Sequence, residues 1–234
     1  MGDFRSLKDE YPELAKEWHP TKNGSLTPEQ VTAGSGRVVW WMLSYDDPKT
    51  DRHFNFEWEA AIRCRALRKH GCPYLSGKAV CTGFNDLATT HPKLTQEWHP
   101  TKNGDLTPEQ VSAGSTKKVW WMLPYDDPKT GKHFDFEWPA VIASRAHDEM
   151  GCPYLSGNAV CTGFNDLVTV NSEIAYEFNQ KKNHGISPYT VPAGSPHKYW
   201  WKCQICGAEW RTAVVNRIKN GSGCPNYRMH PKSY

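Results

Sequence analysis

The apolar residues of the chain fall into short segments separated by polar turns. Residues 37–43 read Arg-Val-Val-Trp-Trp-Met-Leu and are β-rich, and residues 53–58 alternate apolar and polar positions as a half-exposed strand does. Between them, residues 46–50 read Asp-Asp-Pro-Lys-Thr, a composition that favours a turn. The pattern therefore predicts a β-hairpin.

Short helices are predicted on both sides of this hairpin. Residues 11–18 carry a proline in the first turn and end before a His-Pro pair, which is typical of a short helix. Thr27 and Gln30 are spaced as a capping box, so a single helical turn is expected there. Residues 60–68 are predicted to form a further short helix that leads into a glycine-containing turn at 71–77.

The same pattern occurs three times along the chain. Glu-Trp-His-Pro-Thr-Lys-Asn-Gly at 17–24 recurs at 97–104, and the Trp-Trp pair at 40–41 recurs at 120–121 and 200–201. Beyond the last pair the third copy is eight residues shorter than the others. We interpret the chain as an α+β protein of three tandem modules, each a small β-hairpin with short helices. The three modules are residues 1–80, 81–160 and 161–234.

Cysteine spacing suggests what holds the third hairpin together. Of eight cysteines, only Cys203-x-x-Cys206, followed by Gly-Cys224-Pro, has the spacing of a metal site. Four ligands at two such turns form a closed tetrahedral zinc site, which stabilises a hairpin too small for its own core. Tyr227 stands where the fourth thiolate would be, and His230 is the nearest replacement. The alternative is that the three cysteines are buried free thiols.

The first two modules have lost the equivalent ligand positions. Leucine occupies two of them in each: Leu43 and Leu75 in the first, Leu123 and Leu155 in the second. Paired leucines can fill the volume of a zinc-thiolate centre with apolar contact, which predicts that Cys72 and Cys152 are small buried hydrophobes. We therefore expect these modules to be metal-free and the chain to bind at most one Zn²⁺, in the third module.

Together these segments resemble a known family, the tandem "probable zinc-ribbon" modules, which are treble-clef or zinc-ribbon-like repeats. Its pattern of N-D-L to W, H-P-x-K-N-G, W-W-x-C-x-x-G-H-x-W and R-x-x-G-x-G-C-P-x-C is found at 85–98, 99–104, 200–210 and 217–224. Ala208 replaces the usual His, and Tyr227 the last Cys. The resemblance implies a zinc-ribbon-like fold and recognition of nucleic acid or protein rather than catalysis.

Charge distribution favours the third module as a polyanion-binding surface. Residues 161–234 carry a net charge of +5, against +1 for 1–80 and −3 for 81–160. The candidate DNA or RNA contacts are Lys198, Lys202, Arg211, Arg217, Lys219, Arg228 and, for base stacking, Trp201. A second candidate is the cluster Arg63, Arg65, Arg68 and Lys69. The alternative is that the tryptophans fill small cores and the cations are ordinary solvated surface.

The sequence offers no convincing catalytic site. Asp46-Asp47 and Asp126-Asp127 precede Pro-Lys-Thr as turn formers, and His53 and His133 lack an accompanying nucleophile or phosphate-cradling loop. We expect a non-enzymatic recognition protein. A protein-protein interaction module, acting as inhibitor or assembly scaffold, is the alternative, suggested by the acidic middle module and the many tryptophans.

The location of the protein is predicted from what its segments lack. No run approaches the roughly 18 apolar residues of a membrane span, and the N-terminal residues lack the apolar region of a secretory signal. We therefore expect a cytoplasmic protein with reduced thiols and no membrane partner.

Overall fold

The computed structural model describes residues 4–148 and 150–226. Within them, each module contains one antiparallel two-stranded hairpin. The strands are β1 (Val38–Asp47) and β2 (Arg52–Ala61), β3 (Lys118–Asp126) and β4 (His133–Val141), and β5 (Lys198–Lys202) and β6 (Glu209–Ala213). The predicted α+β architecture of hairpin modules with short helices is confirmed.

Helices of about one turn flank the hairpins. They are α1 (Leu7–Glu10), α2 (Pro12–Ala15), α3 (Ile62–Ala66), α4 (Leu87–Thr90), α5 (Pro92–Thr95), α6 (Ile142–Ala146), α7 (Leu167–Val170), α8 (Ser172–Tyr176) and α9 (Val214–Ile218), with 3₁₀ turns at Pro28–Gln30, Pro108–Gln110 and Pro188–Thr190. The predicted capping box is present, since the Thr27 N–H donates to Gln30 Oε1 at 3.0 Å. No helix of the described part is long and apolar enough to cross a membrane.

The hairpins of the first two modules are longer than predicted. The strands continue through Asp47 and Arg52 because Asp47 closes the turn itself. Its carboxylate accepts hydrogen bonds from the Thr50 hydroxyl at 2.6 Å and from the Lys49 N–H at 3.1 Å. The helices are shorter than predicted, since α2 ends at Ala15 and α3 begins only at Ile62.

The chain divides into two compact units. The first contains Met1–Gln96 and Gly104–Ser115, and the second contains Glu97–Asn103 and Thr116–Tyr234. Each is organised around fully buried side chains: Leu7, Trp41, Ile62 and Leu87 in the first unit, and Trp121, Ile142, Leu167, Trp201 and Val214 in the second. The module boundaries at 80 and 160 stay a prediction.

Aromatic side chains from beyond each long hairpin complete its core. The Phe84 ring lies 5.0 Å from that of Phe56 and 5.1 Å from that of Phe54. The side-chain amide of Asn85 donates to the carbonyls of Tyr74 and Ala79, both at 2.8 Å. Phe164 and Asn165 repeat these contacts after the second hairpin. The Phe-Asn-Asp-Leu segment therefore packs on the hairpin that precedes it.

Candidate metal centre

The first two candidate ligands lie in the tight turn between β5 and β6. Cys203 follows the last residue of β5, and its N–H donates to the Ala208 carbonyl at 2.9 Å. The Gly207 N–H donates to the Cys203 carbonyl at 3.0 Å, and Gly207 has a φ of +70°, which glycine adopts without steric cost. The turn therefore presents Cys203 and Cys206 at one end of the hairpin.

Cys224 brings a third thiol to the same place from the segment after α9. The three sulfur atoms lie within 4.8 Å of one another, and those of Cys206 and Cys224 are 3.5 Å apart. A tetrahedral zinc ion with bonds of about 2.3 Å places its sulfur ligands roughly 3.8 Å apart. Cys203 and Cys224 are buried and Cys206 is exposed, and no other group of three such ligands occurs in the described residues. The donor type and spacing fit Zn²⁺.

Backbone amides support negative charge on two of the thiols. The Ile205 N–H points to Cys203 Sγ at 3.4 Å, and the Asn226 N–H points to Cys224 Sγ at 3.3 Å. Backbone N–H groups of Cys206 and Ile205 lower the pKa of Cys203, whereas burial raises the pKa of Cys224 to about 11. A metal would supply the positive charge that a buried thiolate at Cys224 needs. The fourth predicted ligand, His230, lies outside the described residues, as does Tyr227.

In the first two modules the leucines do not form the buried pair that we predicted. Leu75 is 43% exposed and Leu155 is 44% exposed. Leu43, Cys72 and Leu75 line an open cavity of about 420 Å³ instead of filling it. Burial comes from aromatic rings, because Phe56, opposite Leu43 in the register, is 2% exposed. The prediction for the thiols was correct, since Cys72 and Cys152 are buried.

Two of the predicted nucleic-acid contacts are wrong, because their side chains are buried. Trp201 is 0% exposed and packs edge-on against Phe178, with ring centroids 5.5 Å apart. Arg217 is 5% exposed, and its guanidinium is ion-paired with Glu177. The exposed candidates are Lys198, Lys202, Arg211 and Lys219. Arg228 lies outside the described residues.

The buried arginine is part of an arrangement that occurs in all three modules. The Arg217 guanidinium carbon lies 5.0 Å from the ring centroids of both Trp201 and Trp210. Arg145 and Arg65 are held in the same way by a tryptophan pair and by Glu97 or Glu17: Arg145 by Trp121 and Trp138, Arg65 by Trp41 and Trp58. Arg65 is therefore buried, and it does not belong to an exposed cluster with Arg63, Arg68 and Lys69, which was the second candidate contact surface. The repetition of this Glu, Arg and Trp set in every copy is the sequence signal that could have identified it.

The His-Pro-Thr-Lys-Asn-Gly segment is structural. His19 is buried, and its Nδ1 accepts hydrogen bonds from the Thr21 and Lys22 N–H groups at 3.2 and 3.1 Å. The Asn23 side chain bonds both backbone groups of Trp40, at 2.8 and 2.9 Å. In the third module Asn179 replaces the histidine, and its Oδ1 accepts from the Lys182 N–H at 3.1 Å. The segment therefore fixes the loop against β1 in the first module and against β5 in the third.

The acid-base candidates lie on an exposed strand face. His53 Nδ1 is 2.7 Å from Asp46 Oδ1, and Ser44 Oγ, which we had not considered, is 3.1 Å from His53 Nε2. Asp46 is 90% exposed at its side chain, so bulk water screens the trio. Pro124 replaces this serine in the second module, where His133 contacts Asp126 and Asp135. An exposed trio of this kind lacks the water-excluded setting in which such groups catalyse efficiently.

Comparison with known families agrees with this geometry. The model of a family described as a probable treble clef zinc finger domain matches the chain three times in tandem, at residues 14–78, 94–157 and 174–226. The matches together cover most of the chain and confirm the resemblance drawn from its motifs. No curated protein matches the chain.

Proposed function

The chain belongs to the family of probable treble clef zinc finger domains, and on this premise we propose that it is a non-enzymatic recognition protein that binds nucleic acid through its third module. The observation that carries this proposal is the set of exposed cations on one short hairpin and the helix after it. They are Lys198 and Lys202 on β5, Arg211 on β6 and Lys219 after α9.

The other modules provide an internal comparison for this basic surface. The strand position of Arg211 is occupied by Glu59 in the first module and by Pro139 in the second. The position of Lys202 is occupied by Met42 and Met122. The same fold therefore carries cations at these two positions in one copy only, which favours a role for Lys202 and Arg211 beyond the solubility of the fold.

In this proposal the metal site positions the basic surface. Cys203, Cys206 and Cys224, with His230 as the proposed fourth ligand, would hold one zinc ion that ties the β5–β6 turn to the segment after α9. Zinc bound there would supply a structural crosslink with no open coordination position. Lys202 is adjacent to the ligand Cys203 in the chain, so its position depends on the same turn.

Binding to labelled DNA and RNA at several salt concentrations tests the proposal. The double variant Lys202→Glu with Arg211→Glu should weaken binding strongly and reduce the salt dependence, because phosphate contacts release counterions. The charge-matched control is Lys118→Glu with Lys132→Glu in the second module. Equal effects of the two double variants, or no binding by the wild-type protein at low salt, would contradict the proposal.

A protein partner is the second candidate, and one apolar patch favours it. Ile205 is 63% exposed within the Cys203–Cys206 turn, and Tyr176 is 74% exposed. The two lie near each other, because the Gln204 side chain donates to the Tyr176 carbonyl at 3.0 Å. Under this alternative, partners would co-purify equally with and without nuclease treatment, and Ile205→Asp, rather than Lys202→Glu with Arg211→Glu, would release them.

A further inference from the structure

The third module contains a cavity that is lined by both aromatic and cationic residues. Its volume is about 330 Å³, within the size range of small-molecule sites. The aromatic lining residues are Tyr199 and Trp200, and the cationic ones are Lys182, Lys198 and Arg211. His184 and His197 complete the wall.

The third module differs from one or both of the other two at four polar positions that line this cavity. Trp200, Asn183 and Lys182 have counterparts at the same positions of every copy, so the frame of the cavity is shared. The remaining lining positions differ: His184 replaces Gly24 and Gly104, His197 replaces Arg37 and Lys117, Lys198 replaces Val38 and Lys118, and Arg211 replaces Glu59 and Pro139. Relative to the first module, Glu59 and Val38 are replaced by two cations and Arg37 by a histidine. Arg211 is the one lining cation whose position holds no cation in either other module.

The backbone conformation of His184 is unusual for a residue with a side chain. Its φ is +56°, a left-handed conformation that favours glycine, and Gly24 and Gly104 have φ values of +60° and +57°. A side chain here costs conformational energy that the other two modules avoid. Because this side chain lines the cavity, its retention is consistent with a contact made there.

Lys198 and Arg211 are the two cations positioned to meet an anion. The third, Lys182, is already paired with Glu209 at 2.5 Å, and its ammonium lies 4.6 Å from the Trp200 ring centroid. Arg211 Nε donates to the Lys198 carbonyl at 3.4 Å, which holds the guanidinium beside β5. Lys198 and Arg211 are exposed, on adjacent strands near the open end of the hairpin.

We propose that this cavity receives one nucleotide of a single-stranded nucleic acid, with its phosphate on Lys198 and Arg211 and its base against Trp200. The inference rests on the proposed function and makes it more specific. Aromatic surface beside cations is the combination that binds unstacked bases together with their backbone. In a duplex the bases are stacked and paired, so a duplex could offer the cavity only phosphates.

Fluorescence anisotropy with labelled dT10, and with a blunt duplex of the same length, tests this inference on the full chain. We expect tighter binding of dT10 than of the duplex. Trp200→Ala should weaken dT10 binding at least about 5-fold, the usual cost of losing one stacked base, with smaller loss for Trp200→Phe. Trp120→Ala, at the same position of the second module, is the matched control and should change affinity less than 2-fold.

His184→Gly gives a variant that should not fail to fold. Glycine is the residue of the other modules at this left-handed position, so melting temperature should be unchanged or higher while dT10 binding weakens. Equal binding of single strand and duplex, with Trp200→Ala and His184→Gly as tight as wild type, would overturn the cavity assignment. If the cavity assignment failed in this way but the double variant Lys202→Glu with Arg211→Glu still weakened binding, the proposed function would stand. Absence of any wild-type binding would overturn both.

Discussion

Within the described residues each module buries one arginine, and this residue depends on its carboxylate partner. Arg145 is 7% exposed and lies between two tryptophan rings, and its Nη2 is 2.6 Å from Glu97 Oε2. Transfer of a guanidinium from water into such a site is unfavourable unless the charge is paired. The aromatic faces contribute as well, through attraction between the cation and the ring. The ion pair is thus a condition for packing the two tryptophans together.

Removal of the Glu97 carboxylate should therefore destabilise the second module more than removal of a carboxylate from an exposed ion pair would. We expect Glu97→Ala to lower the free energy of unfolding by about 3 kcal/mol, because it leaves a buried cation without its partner. The double variant Glu97→Ala with Arg145→Met should recover part of the loss. Chemical denaturation measures both. Glu13→Ala removes the exposed pair with Lys16 and is the control, with no measurable effect expected. Equal stability of Glu97→Ala and Glu13→Ala would contradict the prediction.

Titration of His53 reports on the exposed strand face. The pKa of His53 is raised mainly by its hydrogen bond to Asp46 and to a smaller extent by its hydrogen bond to Asn55. Because its folded pKa lies above the unfolded value of about 6.5, the contact stabilises the fold fully below that pH, and the contribution is lost as pH rises through the folded pKa. Asp46→Asn should lower the pKa of His53, measured by NMR, and leave that of His133 unchanged. An unchanged pKa at His53 would show that the contact does not form in solution.

The sequence repeat identified the tryptophan pair of each hairpin, but it did not show which face of the hairpin each side chain lies on. Trp200 and Trp201 are adjacent on β5, so one side chain must point to each face of the hairpin. We assigned base contact to Trp201, but Phe178 and Val214, both remote in the chain, belong to the core that buries it. In a two-stranded hairpin the face that becomes buried is decided by such distant neighbours, and alternation alone does not specify it.

The elements differ in how they are stabilised. The strands of the third hairpin have five residues each, and those of the first have ten. The longer hairpins carry the aromatic cluster around Phe56 and Phe136, in which neighbouring rings are 5.0 to 6.0 Å apart. The short hairpin has the three cysteines at its turn instead. Aromatic packing and metal binding are thus alternative ways of closing the same element.

This difference predicts which element depends on metal. Elemental analysis should find at most one zinc per chain, and Cys224→Ser should remove it. Cys152→Ser, at the equivalent position of the second module, should leave the zinc content unchanged. Chelation should increase amide exchange in β5 and β6 and leave β3 and β4 protected. Two or three zinc ions per chain, or equal loss of protection in both hairpins, would contradict the prediction.

Strands were easier to predict than helices for a physical reason. A β-rich run and a turn cluster are local signals, so the hairpin of the first module was predicted within a few residues. A one-turn helix has no periodicity to detect, and α1 was missed. It is specified by its cap, since Ser6 Oγ accepts the Asp9 N–H at 3.2 Å and bonds the Asp9 carboxylate at 2.6 Å.

The first residues of the third copy of the repeat contact the hairpin of the second copy. Sequence similarity predicted a boundary near residue 160, at the start of the third copy. Yet Phe164 lies 5.0 Å from Phe136 of β4, and Asn165 donates to the carbonyls of Tyr154 and Ala159 at 2.7 and 2.9 Å. A repeat defines a period but not where one folded core ends, because any point within the period gives the same self-similarity.

The segment after the second hairpin should therefore stabilise that hairpin rather than only the third module. Phe164→Ala removes a ring that packs on Phe134 and Phe136 and leaves a cavity, so we expect a loss of about 3 to 5 kcal/mol and faster amide exchange in β3 and β4. Tyr176→Ala, which removes a 74% exposed ring, is the control and should leave exchange unchanged. Hydrogen exchange read by mass spectrometry separates the two hairpins. If Phe164→Ala instead opened β5 and β6 and left β3 and β4 protected, residue 160 would mark a structural boundary as well as the start of a repeat.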